Sequence, residues 1–438
     1  MPWKRSSNAR NREPAPIDQP PLAPTQLAER RPVVIDKGRS ILLPRFHTTA
    51  ADHLGQDQRD SFGRQRLRVR SAFTPAQPVV DPRMFAGRTE QLEMMIRSVE
   101  DQRLHVVVFG DRGVGKTSLL HMMTMAAREA RYIVAYVSCG ALSEFDETFR
   151  TVAAEVPLLF HSGVSPVSSS TETGSSLADL LPEGRLSPRQ FGDAAAKLVG
   201  TRLLIVLDEF DRAESAEFRR DISELIKILS DLSARVQLVI AGVAGDLADL
   251  VGFVPSIRRS ISALRISAMT DEEVQELIGN GERTSGLTFE REATAMVISA
   301  VHGSPYLSSL ICHLAGMQAL EQRRSKVTAE DVSGALNKAV EDLRSRLPTD
   351  LLPHLDRFIA SGQAATAPTA PRRGNNATMA KVTSRGAWAL EQLHRSGLLG
   401  AGDPRYALIA DAVTPYIQLM EALRYRVPAN AEPDRVAE

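Results

Sequence analysis

The chain has 438 residues and a formal net charge of +0, with 43% apolar and 24% charged residues. This composition is ordinary for a soluble protein of two or three domains, and the balanced charge gives no overall sign of a nucleic-acid or membrane partner. No run approaches the roughly 18 apolar residues that a membrane span requires, so we expect no membrane contact. Two cysteines, Cys139 and Cys312, cannot form a disulfide framework and lack metal-ligand spacing, which favours a reducing, cytoplasmic location.

The first 80 residues differ in character from the rest of the chain. Residues 1–83 carry 15 Lys and Arg against 8 Asp and Glu, and the segment GRQRLRVR at 63–70 places four arginines in eight residues. Prolines are also frequent between residues 14 and 24. We predict a disordered, basic, Pro-rich arm over residues 1–80 without a secretion signal. Such an arm either contacts an anionic partner or only adds solubility.

Apolar strands then alternate with amphipathic helices up to residue 267. The predicted strands cover 104–110, 132–139, 202–210 and 236–243, and the predicted helices lie between them. Because these strands are apolar throughout, they predict a parallel sheet with helices on both faces. We therefore assign residues 81–267 to an α/β domain. A Ser/Thr-rich insert at 162–186 interrupts it, and we predict that this insert is a mobile loop.

Beyond residue 267 the strand patterns stop and helical patterns continue. Residues 268–347 form a predicted all-helical domain, in which Thr270 and Thr328 stand at helix N-caps. An Ala/Pro/Gly-rich segment at 361–376 then indicates a linker within residues 348–438. The remaining residues predict a helix at 384–396, a strand–turn–strand around 398–409 and a final helix from Val413. This order is typical of a winged helix.

The segment GDRGVGKT matches the phosphate-loop spacing G-x-x-x-x-G-K-[ST] and follows a predicted strand. Glycines let the backbone N–H groups converge on phosphate oxygens at the N-terminus of the next helix. We expect Lys116 to reach the β- and γ-phosphates and the Thr117 hydroxyl to bind Mg²⁺. The predicted phosphate-binding residues are Gly110, Asp111, Arg112, Gly113, Val114, Gly115, Lys116, Thr117 and Ser118.

A second acidic motif follows about ninety residues later, in LLIVLDEFD. The apolar residues predict a buried strand, and Asp208 and Glu209 stand at its carboxyl end. Asp208 suits a magnesium ligand, held directly or through water, and Glu209 suits a general base that polarises the attacking water. The alternative is a strand that simply ends in solvated acids.

These motifs resemble those of AAA+ ATPases related to the origin-recognition ATPases, and of the kindred STAND NTPases. MFAGRTEQLEMM looks like their F-x-G-R box, which implies that Phe85, Gly87 and Arg88 lie beside an adenine. DEFD is similar to the D-E-x-D form of their Walker B motif, and HGSP is similar to the G-x-P motif of their helical lid, with Pro305 near the base. The closing segment RYALIADAVTPYI resembles their winged helix. The resemblance implies ATP and Mg²⁺ as ligands.

The chain also departs from these families. Their fourth strand usually ends in a polar side chain that orients water, but VQLVIAGVAGD offers Gly242 and Val243, with Asp246 as a displaced candidate. This departure puts efficient hydrolysis in question. Arg258 and Arg259 resemble the position from which such proteins donate an arginine to a neighbour, or they are a surface pair. The G-x-P site carries no arginine.

Three hypotheses follow from these residues. The first is an ATPase that hydrolyses slowly and acts as a nucleotide-controlled conformational or assembly switch, with a homo-oligomer in the ATP state. The second is a DNA-associated ATPase that uses the basic arm and the winged helix, which could equally take a protein partner. The predicted recognition helix is only modestly basic, with Arg385, Gln392, His394 and Arg395. The third is a nucleotide-binding module without turnover.

Overall fold

The computed structural model describes residues 61–164, 174–251, 255–360, 393–395 and 406–424. Within these ranges the chain builds a five-stranded α/β domain followed by a helical domain. No helix in them is long and apolar enough to cross a membrane.

The sheet of the first domain is parallel, with the strand order β2-β3-β4-β1-β5. Strand β1 lies between β4 and β5, so that Gly110 stands opposite Val243 on one side and Ile266 on the other. Every residue of β1 and β3 is buried, as expected for a sheet that is covered on both faces. The strands are β1 (His105–Gly110), β2 (Ile133–Ser138), β3 (Leu203–Asp208), β4 (Val236–Val243) and β5 (Ile261–Ile266).

Helices cover the two faces of the sheet and confirm the predicted α/β fold. One face packs against helices α2 and α3, and the other against α4, α5 and α6, with alternate residues of each strand contributing to each core. The helices up to this domain's end are α1 (Ser61–Ala72), α2 (Thr89–Glu100), α3 (Lys116–Glu129), α4 (Phe145–Ala154), α5 (Pro188–Ala195), α6 (Ala216–Asp231) and α7 (Leu247–Val251).

The second domain is helical, apart from a two-residue parallel pairing between β6 (Thr288–Phe289) and β7 (Lys326–Val327). Thr270 and Thr328 each stand at a helix N-cap, as predicted, and each forms a capping box. The helices are α8 (Asp271–Ser285), α9 (Arg291–Val301), α10 (Pro305–Glu321), α11 (Ala329–Ser345), α12 (Leu352–Ala360) and α13 (Tyr406–Arg424).

The predicted disordered arm is wrong for residues 61–80. Residues 61–72 form helix α1, whose Val69 and the following Phe73 are buried in the core of the helical domain. Phe73 fits because Gly281 of α8 lacks a side chain, since a Cβ there would lie 2.0 Å from the Phe73 ring. The arginines are accommodated because they occupy the other sides of the helix. Residues 1–60 lie outside the described part of the chain.

The predicted mobile insert is wrong for residues 174–186. Leu177, Leu181 and Leu186 are buried in the α/β core, and a capping box between Ser176 and Asp179 starts a 3₁₀ helix there. Three leucines at wide spacing gave no periodic signal, yet together they anchor the segment. The middle of the insert, 165–173, is not described.

Strand β5 was missed by the sequence reasoning. Its burial alternates between buried and open positions, so ISALRI lacks the continuous apolar run that marked the other four strands. The strand is an edge of the sheet, beside β1 only.

The C-terminal prediction is wrong at residues 406–409, which are helical rather than the second strand of a wing. Helix α13 begins at Tyr406, and its Tyr416 is fully buried in the core of the helical domain. The Tyr416 hydroxyl donates to Asp356 of α12 at 2.8 Å and accepts from Arg344 of α11 at 2.8 Å. This helix is therefore part of the helical domain's own packing. Residues 393–395 are helical as expected, and the rest of the predicted winged helix lies outside the described residues.

We expect the free energy of unfolding to fall when the pH drops below 6.5, because of His105 on β1. Its Nδ1 accepts the Leu238 N–H at 2.9 Å, and burial lowers the pKa of His105 to about 4. Between pH 6.5 and pH 4 the unfolded chain therefore binds a proton at His105 and the folded chain does not. The stabilisation from the neutral His105 ring is complete above pH 6.5 and is lost as the pH falls towards 4. Between pH 7 and pH 5 the loss from this group is about 2 kcal/mol.

Urea unfolding at several pH values measures this effect, with His105→Gln as the comparison. The variant lacks the titrating ring, so its unfolding free energy should depend less steeply on pH over this range. An equal pH dependence in both proteins would contradict the assignment to His105.

Candidate functional site

The candidate site lies at the carboxyl ends of β1, β3 and β4, where the loops of a parallel sheet meet. Gly110 ends β1 with a φ of 152°, and a Cβ there would lie 2.1 Å from the Ile266 carbonyl oxygen. Only glycine fits so close to β5. Gly115 has a φ of 95° and forms the N-cap of α3, which turns the loop back over its own helix. At Gly110 and Gly115 the predicted phosphate loop thus adopts a backbone conformation that requires glycine.

Lys116 lies at the centre of this loop. Its Nζ is buried and donates to the carbonyl oxygens of Gly110 at 3.0 Å and Asp111 at 2.8 Å. Burial lowers the pKa of Lys116 to about 8, and the negative charges of Asp211, Asp208 and Asp111 oppose this shift. The carbonyl oxygens of the loop therefore hold the ammonium group, and the same loop would bind a phosphate.

Asp208, at the end of β3, receives three hydrogen bonds. Thr117 Oγ1 and Tyr136 Oη both donate to its Oδ2, at 2.8 and 2.7 Å, and the Glu209 N–H donates to Oδ1 at 2.8 Å. The carboxylate is only 4% exposed. Burial and the bond to Asp208 raise the pKa of Tyr136.

The residues at this point fit a magnesium ion. A hydroxyl and a carboxylate that already lie within hydrogen-bonding distance form the hard oxygen pair that Mg²⁺ takes together with phosphate oxygens. No group of three or more His, Cys, Asp or Glu side chains that could hold a metal on its own occurs in the described ranges. Thr117 and Asp208 would hold the ion.

Glu209 sits in a left-handed backbone conformation, with a φ of 53°, directly after β3. Its Oε2 accepts from Ser138 Oγ at 3.1 Å and pairs with Arg212 at 3.0 Å. The predicted general base is therefore at the site, but its carboxylate is engaged by two neighbours.

Strand β4 ends in Gly242 and Val243, so its carboxyl end carries no polar side chain. The Val243 N–H donates to Oδ1 of Asp211 at 2.8 Å. Asp246, the displaced candidate for orienting water, is exposed in the turn that follows the strand.

The helical domain contacts the phosphate loop through the predicted G-x-P segment. A Cβ on Gly115 would lie 3.8 Å from Pro305 Cγ, and one on Gly113 would lie 3.9 Å from Tyr306 Cβ. Gly303 has a φ of 72°, and its carbonyl accepts the Met269 N–H at 2.8 Å. The N-terminal turn of α10 therefore lies against the loop, with Pro305 beside Gly115. That Pro305 contacts the base stays a prediction.

The F-x-G-R box joins the two domains. Phe85 is partly buried against the α2–α3 core, and its carbonyl accepts from Asn280 of α8 at 3.1 Å. The Gly87 N–H donates to Glu276 of α8 at 3.1 Å. That these residues contact a base stays a prediction.

Arg88 is 4% exposed and lies at the same junction. Its Nη2 donates to the Ser267 carbonyl at 2.6 Å, and its Nη1 lies 3.9 Å from Glu273. Its buried Nε has no hydrogen-bond partner among the residues that the structure describes. Arg88 is a buried polar link between the domains, with one donor left for a further acceptor.

Arg258 and Arg259 lie apart from this site. Both are exposed on a 3₁₀ helix, Pro255–Ser260, that leads into the amino end of β5. The phosphate loop follows the carboxyl end of β1, which is parallel to β5, so the loop and the two arginines lie at opposite ends of these strands. They do not reach the site of their own chain, and a role towards a neighbouring chain stays a prediction.

Sequence reasoning missed several residues that the fold brings to the site. Tyr136 and Ser138 come from β2, and their contacts depend on the pairing of β2 with β3. Arg212 and Asp211 come from the turn after β3. Asp211 belongs to the DEFD motif, and this is the only sequence signal that could have pointed to it.

A family model described as novel STAND NTPase 1 matches residues 72–399. The chain belongs to this family. The STAND resemblance drawn from the phosphate loop, the DEFD motif and the G-x-P segment is confirmed, and the class of protein is a nucleoside triphosphatase.

The chain is also similar to several solved structures, among them the following three. The Thermotoga maritima RuvB Holliday junction branch migration motor has 13% identity and a TM-score of 0.44, covering 76% of this chain and 87% of that chain. Cdc6p from Pyrobaculum aerophilum has 15% identity and a TM-score of 0.46, covering 80% and 98%. The Aeropyrum pernix ORC1 protein, solved with DNA, has 15% identity and a TM-score of 0.42, covering 81% and 87%. No curated protein matches the chain.

We expect Tyr136→Phe to raise the Mg²⁺ concentration needed for half-maximal hydrolysis about ten-fold, because the variant loses a hydrogen bond that orients Asp208, the carboxylate that would hold the metal. Tyr132→Phe is the matched control, since the Tyr132 hydroxyl accepts from Arg202 at 3.1 Å, away from Asp208. Phosphate release measured across a Mg²⁺ titration gives the result. Equal Mg²⁺ dependence of both variants and the wild type would contradict this role.

We expect Arg212→Ala to raise the hydrolysis rate about two- to five-fold, because it frees Glu209 from a partly exposed ion pair worth about 0.2–1 kcal/mol. Arg189→Ala is the control, since Arg189 pairs with Asp193 at 3.2 Å on α5. Steady-state phosphate release at saturating nucleotide is the measurement. A lower rate in Arg212→Ala would show that Arg212 assists the reaction rather than restraining Glu209.

Proposed function

We propose that the protein is a magnesium-dependent ATPase that hydrolyses slowly and uses its nucleotide state as a conformational or assembly switch. The observation that carries this proposal is the 2.8 Å hydrogen bond between Thr117 Oγ1 and Asp208 Oδ2 beside the buried Lys116. It brings a phosphate loop and a carboxylate from separate strands to one point. Preference for adenine rests on the F-x-G-R resemblance.

The residues divide the chemistry between them. Backbone N–H groups of the loop and Lys116 hold the phosphates, and Mg²⁺, when bound, neutralises charge that develops on them. Glu209 accepts a proton from the attacking water, whose oxygen bonds to the γ-phosphorus. The bond from that phosphorus to the β–γ bridging oxygen breaks, and the products are ADP and inorganic phosphate.

Two contacts support a slow switch rather than rapid turnover. Glu209 is held by Ser138 and Arg212, so it must change partners before it can act on water. Pro305 and Tyr306 of the helical domain lie against the phosphate loop, so phosphates bound there meet both domains. Nucleotide state can then bias the position of the helical domain.

Lys116→Ala tests the site. The ammonium would donate charged hydrogen bonds to the β- and γ-phosphates, so we expect ATP affinity to fall about 100-fold or more when it is removed. Lys227→Ala, an exposed lysine on α6, is the control. ATP binding is measured by calorimetry, and normal binding by Lys116→Ala would refute the site assignment.

Glu209→Gln tests turnover and the switch together as part of the same experiment. This variant should bind ATP with normal affinity and hydrolyse it about 100-fold more slowly. Mass photometry without nucleotide, with ADP and with ATP then reports assembly. No phosphate release by the wild type, together with nucleotide-independent masses, would favour a binding module without turnover instead.

A second candidate, DNA association, is favoured by one observation. Arg64, Arg68 and Arg70 are exposed on the folded helix α1, on the sides that do not enter the core. Binding to duplex DNA that weakens steeply with salt would support this candidate, because phosphate contacts release counterions. No binding at low salt, with and without ATP, would eliminate it.

A further inference from the structure

Asp211 occupies the end of β4, the place where the strand itself offers no polar side chain. The residue belongs to a 3₁₀ turn, Phe210–Arg212, that directly follows Glu209. Its Oδ1 accepts the Val243 N–H at 2.8 Å, so the carboxylate is fixed to the last residue of β4.

The space beside Gly242 is already filled by this carboxylate. A Cβ on Gly242 would lie 2.9 Å from Asp211 Oδ1, 3.1 Å from the Asp211 backbone nitrogen and 2.6 Å from Leu250 Cδ2. A polar side chain at residue 242 would therefore collide with Asp211. The glycine and the aspartate are two parts of one arrangement.

The turn that carries Asp211 is fastened to α6. Arg219 Nη2 donates to the Asp211 carbonyl at 3.1 Å, and its Nε donates to the Ala213 carbonyl at 3.0 Å. In the part of the chain that the structure describes, Oδ2 of Asp211 receives no hydrogen bond, so this oxygen is available to a ligand.

Asp211 also lies close to the phosphate loop. Val243 stands opposite Gly110 in the sheet, and Gly110 O accepts from Lys116 Nζ. The Asp211 carboxylate is thus close enough for its negative charge to oppose the lowering of the Lys116 pKa.

We propose that Asp211 is the residue that orients the attacking water, in place of the polar side chain missing from β4. Its Oδ2 accepts a hydrogen bond from one O–H of the water, while Glu209 takes the proton of the other. The water oxygen bonds to the γ-phosphorus, the bridging oxygen leaves with the electron pair, and ADP and phosphate form. This inference rests on the proposed ATPase function.

Asp211→Asn is the decisive variant. The amide oxygen can still accept the Val243 N–H, but an NH₂ donor replaces the free carboxylate oxygen. We expect kcat to fall about 100-fold, with the dissociation constants for ATP and ADP within about two-fold of wild type. Asp179→Asn is the matched control, because Asp179 also accepts a backbone N–H at 2.8 Å in the same domain.

A second measurement needs no turnover. Gly242→Asn should lower the unfolding midpoint of the wild type, and should lower it less in an Asp211→Ala background, because the main polar collision has been removed. Equal losses in both backgrounds would overturn the steric pairing of the two residues.

The possible results distinguish a failure of the Asp211 role from a failure of the proposed ATPase function. A wild type that releases no phosphate would refute the proposed function. A wild type that is active beside an equally active Asp211→Asn would overturn the role of Asp211 alone. Parallel losses of kcat, nucleotide affinity and stability in Asp211→Asn would also overturn it, since they would indicate a purely structural role.

Discussion

The parallel pairing of β1 with β4 and of β3 with β2 is the constraint on which the site depends. In a parallel sheet all carboxyl ends lie at one edge, so residues that are distant in sequence follow their strands into a common space. Gly110 stands opposite Val243, and Ser138 stands opposite Asp208. The side chains that we expect to act at the site lie at such a strand end or in the loop, turn or first helical residues that follow it. A shift in the register of β1 on β4 would separate Thr117 from Asp208, and a shift of β2 on β3 would separate Tyr136 from Asp208.

The helical domain completes this edge rather than merely following it in sequence. Arg88 is buried at the junction, and a buried guanidinium requires polar partners, which it finds in the Ser267 carbonyl and Glu273. Gly303 cannot carry a side chain, since a Cβ would lie 2.2 Å from the Met269 carbonyl oxygen. These contacts bring the start of α10 to the phosphate loop. The same junction therefore sets both the domain contact and the wall of the site.

Local patterns explain which parts of the fold could be predicted. Four strands were correct because each is a continuous apolar run, and β5 was missed because only three of its six residues are buried. Helix α1 was misjudged because its arginines were counted without the periodicity of Val69 and Phe73. The leucines of the insert and Ile409 of α13 are buried among distant partners in the cores, which no local pattern shows.

The site divides in the same way. The phosphate loop and the Asp208–Glu209 pair are contiguous motifs, so the sequence alone could propose their residues. Tyr136 and Ser138 could not, because their partners depend on strand register. The left-handed conformation of Glu209, which directs its carboxylate to Ser138 and Arg212, is also a property of the folded turn.

Three acids within four residues would repel one another unless each had its own partners. Asp208 is surrounded by three donors, Glu209 is held by Ser138 and Arg212, and Asp211 is fixed to the backbone of β4. We propose that these different environments suit chemically similar groups to different tasks: a buried carboxylate for the metal, a half-exposed one for proton transfer and one beside the strand end for water. The glycine at residue 242 is then required by the third acid, and the apparent gap in β4 is the space that this acid fills.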